Sequence, residues 1–348
     1  MIRAIIRFSA HNRLLVLMAA SVAVAYGIYT LRHIPVDAIP DLSDTQVIVY
    51  SRWDRSPDII EDQVTYPIVS ALLGTPKVKS IRGFSDFGFS YAYVIFEDGT
   101  DIYWARSRVL EYLSKIQPVL PEGVKTELGP DATGVGWVFQ YALVDDSGTQ
   151  SLADLRALQD WNLRYRLQSV PGVAEVASIG GFVQQYQVTV DPARLKAYDL
   201  GIMEVAEAVR RSNSEVGGRL LEFAGREFMV RGRGYVKAAA DIEKVVLKTD
   251  ARGTPVLLRD VASVAVGPEI RRGVADLDGQ GDAVGGIVVM RHGENARDVI
   301  DRVKARLGEL EPSLPKGVRF VTTYDRSDLI TRAIDVLRHE LLVEIAIV

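Results

Sequence analysis

Thioether and thiolate side chains hold soft monovalent metals, whereas carboxylate and imidazole clusters hold harder divalent ones, so methionine, cysteine and histidine bound the metal chemistry open to a chain. The chain has 5 methionines, 4 histidines and no cysteine. Met1, Met18, Met203, Met229 and Met290 are far apart in sequence, and no two of them make a ligand pair. A thioether needs no deprotonation to bind a soft metal ion, but here Met229 reads as a packing residue among Phe228 and Val230. His11, His33, His292 and His339 are scattered, without a second histidine or carboxylate at metal-binding spacing, and read as structural or surface residues. The acidic group Glu97, Asp98 and Asp101 reads as a turn between strand and helix, with Asp101 capping the helix. No nucleophile sits beside a base, and no phosphate-cradling glycine loop or metal triad is present, so an enzyme is the class least supported. With 41 basic against 45 acidic residues, a net charge of -4, the chain lacks the basic surface that nucleic acid requires.

The elements that would carry such residues begin with an apolar run, Leu14 to Leu31, that holds no charged residue and is long enough to cross a bilayer. Arg3, Arg7 and Arg13 precede it, which places the N-terminus in the cytoplasm and the chain beyond Leu31 outside. A cleaved secretory signal ending at Ala23-Val24-Ala25 is the rival reading, and the continuation through Tyr26, Ile28, Tyr29 and Leu31 favours an anchor. From Asp328 to Val348 apolar residues recur at helical spacing with Glu344 the last charge, which reads as an amphipathic helix or the truncated start of a second span.

Between these ends the chain repeats itself. Tyr93 to Asp131 aligns without gaps on Ile287 to Asp325 at a constant offset of 194 (325 minus 131), matching Gly99 to Gly293, Val109 to Val303 and Leu120-Pro121 to Leu314-Pro315. Each copy reads as strand, glycine turn, amphipathic helix, Pro-x-Gly turn and strand. A weaker echo at offset 95 (171 minus 76) sets Pro76, Val78 and Ile81 against Pro171, Val173 and Val176, each after an amphipathic helix, Pro57 to Leu73 and Leu152 to Ser169. Repeated units of this kind predict ferredoxin-like split-βαβ subdomains. Gly181 to Gly273 breaks the pattern with a strand at Gln185 to Val190, a helix at Ile202 to Ser212 and a hairpin arm from Gly217 to Gly232 with its tip at Ala224-Gly225-Arg226. The arm's Leu220, Leu221, Phe223, Phe228 and Met229 do not alternate cleanly, so one local sheet face cannot bury them all. A partner subunit covering both faces and an edge hairpin packed in its own domain both stay open.

Ile34 to Val47 (IPVDAIPDLSDTQV), Gln63 to Ile68 (QVTYPI), Phe96 to Leu113, Leu128 to Trp137 (LGPDATGVGW) and Leu258 to Gly273 resemble the N-terminal third of a resistance-nodulation-division efflux pump. Within that family they look most like the heavy-metal branch, of the copper- and silver-exporting type. Zinc, cobalt and cadmium pumps of the family tend to carry Glu in the TGxGE form of the motif where this chain has Trp137; the direct role of Trp137 itself reads as core packing.

The resemblance implies an α+β membrane protein: cytoplasmic N-terminus and first span over 1–33, a first porter subdomain over 34–134, a second over 135–180 and 274–327, a docking domain inserted over 181–273, and the start of a second span over 328–348. It implies a homotrimer in the bacterial inner membrane, with residues 34–335 largely periplasmic, working with a periplasmic adaptor and an outer-membrane channel. Proton entry would drive export of Cu(I) or Ag(I), with no bound cofactor and no metal ligand in this stretch. The trimer-docking arm would be Gly217, Leu220, Leu221, Phe223, Phe228 and Met229, and the family motif Gly129, Pro130, Asp131, Gly134, Gly136 and Trp137. Proton relay and metal ligands are expected beyond Val348, since Leu14 to Leu31 has no ionisable residue. A pump for zinc, cobalt or cadmium and a membrane-anchored binding or assembly module are the alternatives.

Overall fold

The computed structural model describes residues 8–33, 37, 39–214, 216–232, 234–249, 253–271 and 273–347. Met1, Arg3, Arg7, Ile34, Pro35, Val36, Ala38 and Val348 lie outside the described residues. Helix α1 (Arg13–His33) contains the only stretch among them, Arg13–Thr30, long and apolar enough to cross a membrane, and none of that stretch is buried. Leu14, Leu17, Met18, Val22 and Val24 all face outward, as a lipid environment requires.

The chain divides into two compact units, and the larger contains two four-stranded sheets. The first runs β1 (Gln46–Arg52), a helix interrupted by a π-helical turn (α2, Pro57–Ile60; π-turn Glu61–Thr65; α3, Tyr66–Leu72), β2 (Val78–Asp86), β3 (Phe89–Phe96), α4 (Ile102–Ile116) and β4 (Lys125–Leu128). Its strand order is β2-β3-β1-β4, with each of these neighbours antiparallel. Val47, Val49 and Ser51 alternate inward along β1, the period-2 signature of a sheet with one buried face. Ile60, Val64, Ile68 and Leu72 meet that face together with Val109 and Leu113 of α4. Each large side chain buried there contributes about 1.5–3 kcal/mol.

The second sheet repeats the first. β5 (Trp137–Asp145) leads into α5 (Leu152–Leu158), a π-turn (Gln159–Leu163), α6 (Arg164–Gln168) and β6 (Val173–Gly180); β13 (Val284–Met290), α11 (Ala296–Leu310) and β14 (Val318–Asp325) complete it in the order β14-β5-β13-β6. The offset of 194 carries through to backbone detail. Gly99 and Gly293 sit at φ 75 and 81, Gly123 and Gly317 at φ 87 and 88. The helix caps also correspond: Asp101 Oδ1 accepts the Trp104 amide at 2.7 Å and Asn295 Oδ1 accepts the Arg297 amide at 3.0 Å.

Each interrupted helix holds a buried polar group against its sheet. Thr65 Oγ1 donates to Ser90 Oγ at 2.8 Å, and Gln159 Oε1 accepts from the Tyr141 hydroxyl at 2.8 Å. Burial pushes the Tyr141 phenol well above its ordinary range.

The copies differ in the turn that follows each interrupted helix. Gly172 takes φ 89 in the turn before β6, where the first copy has Lys77 at φ 62. A Cβ on Gly172 would come within 2.6 Å of Val299 Cγ2, so Gly172→Ala is expected to cost about 2 kcal/mol. Lys77→Gly is expected to change stability by less than about 1 kcal/mol, because relief of left-handed strain offsets loss of the ammonium over the Trp104 ring. Thermal unfolding of the two variants checks both.

The smaller unit comprises Gln150–Ala157 and Gly180–Ala283. β7 (Gln184–Val190) pairs with β12 (Ala262–Pro268), and β10 (Val246–Thr249) with β11 (Pro255–Leu257). α7 (Pro192–Ala197), α8 (Ile202–Ser212), α9 (Ala239–Glu243) and α10 (Leu258–Val261) surround a small core of Leu195, Val205, Ile242, Leu258 and Val261. Among the described residues the hairpin β8 (Val216–Phe223) and β9 (Arg226–Gly232) pairs only with itself, and it turns at Ala224 and Gly225, φ 54 and 71. Helix α12 (Arg326–Ile347) follows β14 without a linking residue.

Candidate functional site

The motif Gly129 to Trp137 joins the two sheets of the larger unit. As β4 ends, the Gly129 amide donates to the Ile48 carbonyl at 2.7 Å and its own carbonyl accepts from Arg106 Nη1 at 2.7 Å. A side chain on Gly129 would press on Ile48 at 3.2 Å, so glycine permits this approach. Asp131 then reaches both halves: its Oδ2 accepts from the Tyr103 hydroxyl at 3.1 Å and lies 3.7 Å from Arg291 Nε, while its carbonyl accepts the His292 amide at 2.9 Å. Burial raises the Tyr103 phenol above its ordinary value, and the hydrogen bond to Asp131 adds to this.

Pro130 and Gly134 are exposed, by contrast with buried Gly136, whose amide donates to the Thr133 carbonyl and whose carbonyl accepts from the Met290 amide at 2.7 Å. A Cβ on Gly136 would meet the Thr133 and Met290 carbonyls at 3.1 and 3.2 Å. Beside this turn, Asp41 accepts the Ser43 amide at 3.0 Å. Burial pushes the Asp41 carboxyl up, but hydrogen bonds from Thr133 and Ser43 and the nearby His292 together hold it below the ordinary carboxylate value. A cavity of about 20 Å³ between Ser43, Ile102, Thr133 and His292 has room for about one water.

Trp137 corrects the sequence reading. The residue is 54% exposed rather than packed in a core, because it occupies the first, outward position of β5; its carbonyl accepts from Arg326 Nη2 at 2.7 Å. A wider cavity of about 600 Å³ opens on the first sheet beside Arg52, Trp53, Phe89 and Lys125. On its wall the Tyr50 phenol is pushed up to about 12 by burial and by its hydrogen bond to Glu127.

The hairpin arm has a different character. Leu220 pairs with Met229 and Leu221 with Phe228, and a register shift follows Gly217. Consecutive residues of a strand face opposite ways, so both faces of the ribbon carry an apolar pair. Leu220, Leu221, Phe223 and Phe228 are all exposed. Met229, read from the sequence as a packing residue, is 78% exposed, since among the described residues no further strand joins the two-stranded ribbon.

Among the described residues no group of three or more His, Cys, Asp or Glu side chains is placed to hold a metal. Met18, Met203, Met229 and Met290 lie on four different elements, α1, α8, β9 and β13, and only Met290 of these is buried. Sequence reasoning missed Asp37, Tyr103, Arg291 and Arg326, whose partners lie far along the chain.

Over its full length the chain is 56% identical to the cation efflux system protein CusA of Escherichia coli K12, covering 33% of that protein, and 55% identical to SilA of Salmonella typhimurium, again 33%. It is 37% identical to the cobalt-zinc-cadmium resistance protein CzcA of Cupriavidus metallidurans over 98% of the chain and 33% of that protein. The chain thus spans about a third of the length of these relatives. A crystal structure of a heavy metal efflux pump superposes with a TM-score of 0.82 at 30% identity, covering 92% of this chain and 32% of the other. The joint between two repeated sheets, the exposed arm and the apolar helix thus belong to a chain that resembles transport proteins along its length, and with the pattern of the AcrB/AcrD/AcrF family matching residues 5–348, the chain belongs to that family.

Proposed function

We propose that this chain is the N-terminal third of a proton-driven efflux pump of the inner membrane that exports Cu(I) or Ag(I), as a homotrimer working with a periplasmic adaptor and an outer-membrane channel. The observation that carries the reading is the identity gradient, 56% to CusA against 37% to the cobalt-zinc-cadmium protein, sustained across the chain. Trp137 in the motif, where pumps for divalent ions tend to carry a carboxylate, points the same way. In this reading α1 is the first membrane span and α12 leads towards a second. The two sheets, each in the order fourth-first-third-second or its reverse, are ferredoxin-like split-βαβ porter subdomains, 34–134 and 135–180 with 274–327. The insertion 181–273 is the docking domain. The doubly apolar ribbon supports a role for Leu220, Leu221, Phe223, Phe228 and Met229 in gripping a neighbouring protomer, with Gly217 at the register shift; the motif Gly129 to Trp137 holds the subdomains in register.

The test is expression of the full-length protein in a bacterium stripped of its own copper and silver exporters. Growth on silver and copper should be restored, with no gain on zinc, cobalt or cadmium, and dissipating the proton gradient should stop metal movement in everted vesicles. Tolerance confined to the divalent ions would overturn the cargo assignment.

A further inference from the structure

Arg326 is 3% exposed, and a guanidinium has no neutral form to retreat to. Taking such a charge out of water is costly, and an apolar residue of similar size often fills the same space at no loss of stability. What an apolar residue lacks is the planar fork, which here reaches three places at once. Nη1 donates to Asp37 Oδ2 at 3.0 Å, Nη2 to the Trp137 carbonyl at 2.7 Å, and Nε lies 3.5 Å from the Tyr324 hydroxyl. Asp37 belongs to the segment that follows α1, Trp137 begins β5, and Arg326 itself is the first residue of α12.

The surroundings leave this root no slack. Asp325 Oδ1 accepts both the amide and the hydroxyl of Ser327, at 2.9 and 2.7 Å. Lys304 of α11 bridges the same pair, forming an ion pair with Asp325 and donating to Ser327 Oγ at 3.0 Å. Ile330, one turn on, is fully buried. Leu337, Leu341, Leu342, Ile345 and Ile347, beyond Ile334, are exposed, so among the described residues α12 packs on the larger unit through its N-terminal part.

We propose that Arg326 is a positioning residue that fastens Asp37 and the start of α12 to the second sheet, so that Asp37, the root of α12 and that sheet move as one body. In the pump reading, on which the transport part of this inference rests, the tie carries movement of the membrane helices into the porter region. The full-length protein, reconstituted in liposomes, is compared with Arg326→Met, Arg326→Lys, Asp37→Asn and the double variant Asp37→Asn/Arg326→Met.

The expected result for Arg326→Met is a maximal transport rate lowered about tenfold, the scale on which side-chain networks couple distant sites, with the half-saturating metal concentration unchanged. Arg326→Lys, which keeps the charge without the fork, should recover part of the rate. The double variant should be no slower than Arg326→Met, because either change alone breaks the shared contact. Spin labels at Glu309 on α11 and Leu337 on α12 supply a readout free of transport: their distance distribution should broaden in Arg326→Met. An unchanged distribution, or rate losses that multiply in the double variant, would sink the tie. Broadening in a protein that moves no metal even before substitution would keep the tie and remove the pump reading.

Discussion

If the full-length protein is the trimer proposed above, a variant carrying Phe223→Asp and Phe228→Asp is expected to stay folded and to stop assembling. Both residues lie on the β8–β9 ribbon and are exposed in the single chain, Phe223 at 69% and Phe228 at 52%, so replacing them removes little packing from the unit that bears them. If the ribbon is gripped by a neighbour, each buried ring contributes about 1.5–3 kcal/mol, and a carboxylate in its place adds a desolvation cost. That loss recurs at every interface of a closed ring. Native mass spectrometry of the detergent-solubilised protein should show monomer alone, with the unfolding transition of the smaller unit unmoved. A trimer of undiminished abundance would assign the ribbon some other partner.

The second large effect lies in the centre of the second sheet. β13 runs between β5 and β6, and Gly285 faces Ala142 in the ladder. A methyl group on Gly285 would sit 2.1 Å from the Tyr141 carbonyl oxygen, which is backbone and cannot swing aside. Neighbouring Gly286 lies under the Tyr141 ring, itself held by Gln159. Gly285→Ala must therefore part β13 from β5, and a loss of more than about 3 kcal/mol is expected, in the tail of single-substitution effects. Gly308→Ala in α11 is the control: no neighbouring atom approaches its added carbon, and helix propensity alone should raise stability by about 0.5–1 kcal/mol. Thermal unfolding of the pair should move in opposite directions, and a Gly285→Ala transition within about 2 °C of the parent would refute this account of the ladder.

The repeat was legible because its markers are local. Gly99 and Gly293, or Gly123 and Gly317, sit in turns whose backbone demands little of distant residues, so the same spacing survives in both copies. The arm was legible for a related reason, since apolar neighbours at Leu220-Leu221 and Phe228-Met229 violate strand alternation in the sequence itself. Arg326 was not, because its partners Asp37 and Trp137 are 289 and 189 positions away and nothing nearby marks it as buried. Trp137 was misread since aromatic size suggests a core, whereas its place at the head of β5 decides its exposure. The π-turns leave no clear sequence trace either, because one extra residue in a helix shifts the apolar stripe without breaking it.

The two sheets share one strand order, but β2 and β3 are joined by a tight turn at Phe87 and Gly88, whereas β6 and β13, neighbours in the same way, are parted by about a hundred residues of chain. The insertion is therefore a guest in a host hairpin whose own ladder closes on either side of it. Such hosts let lineages diverge by parts: the guest can be reshaped by mutation while the strands that flank it in sequence keep their pairing, so change in one unit need not disturb the ladder of the other.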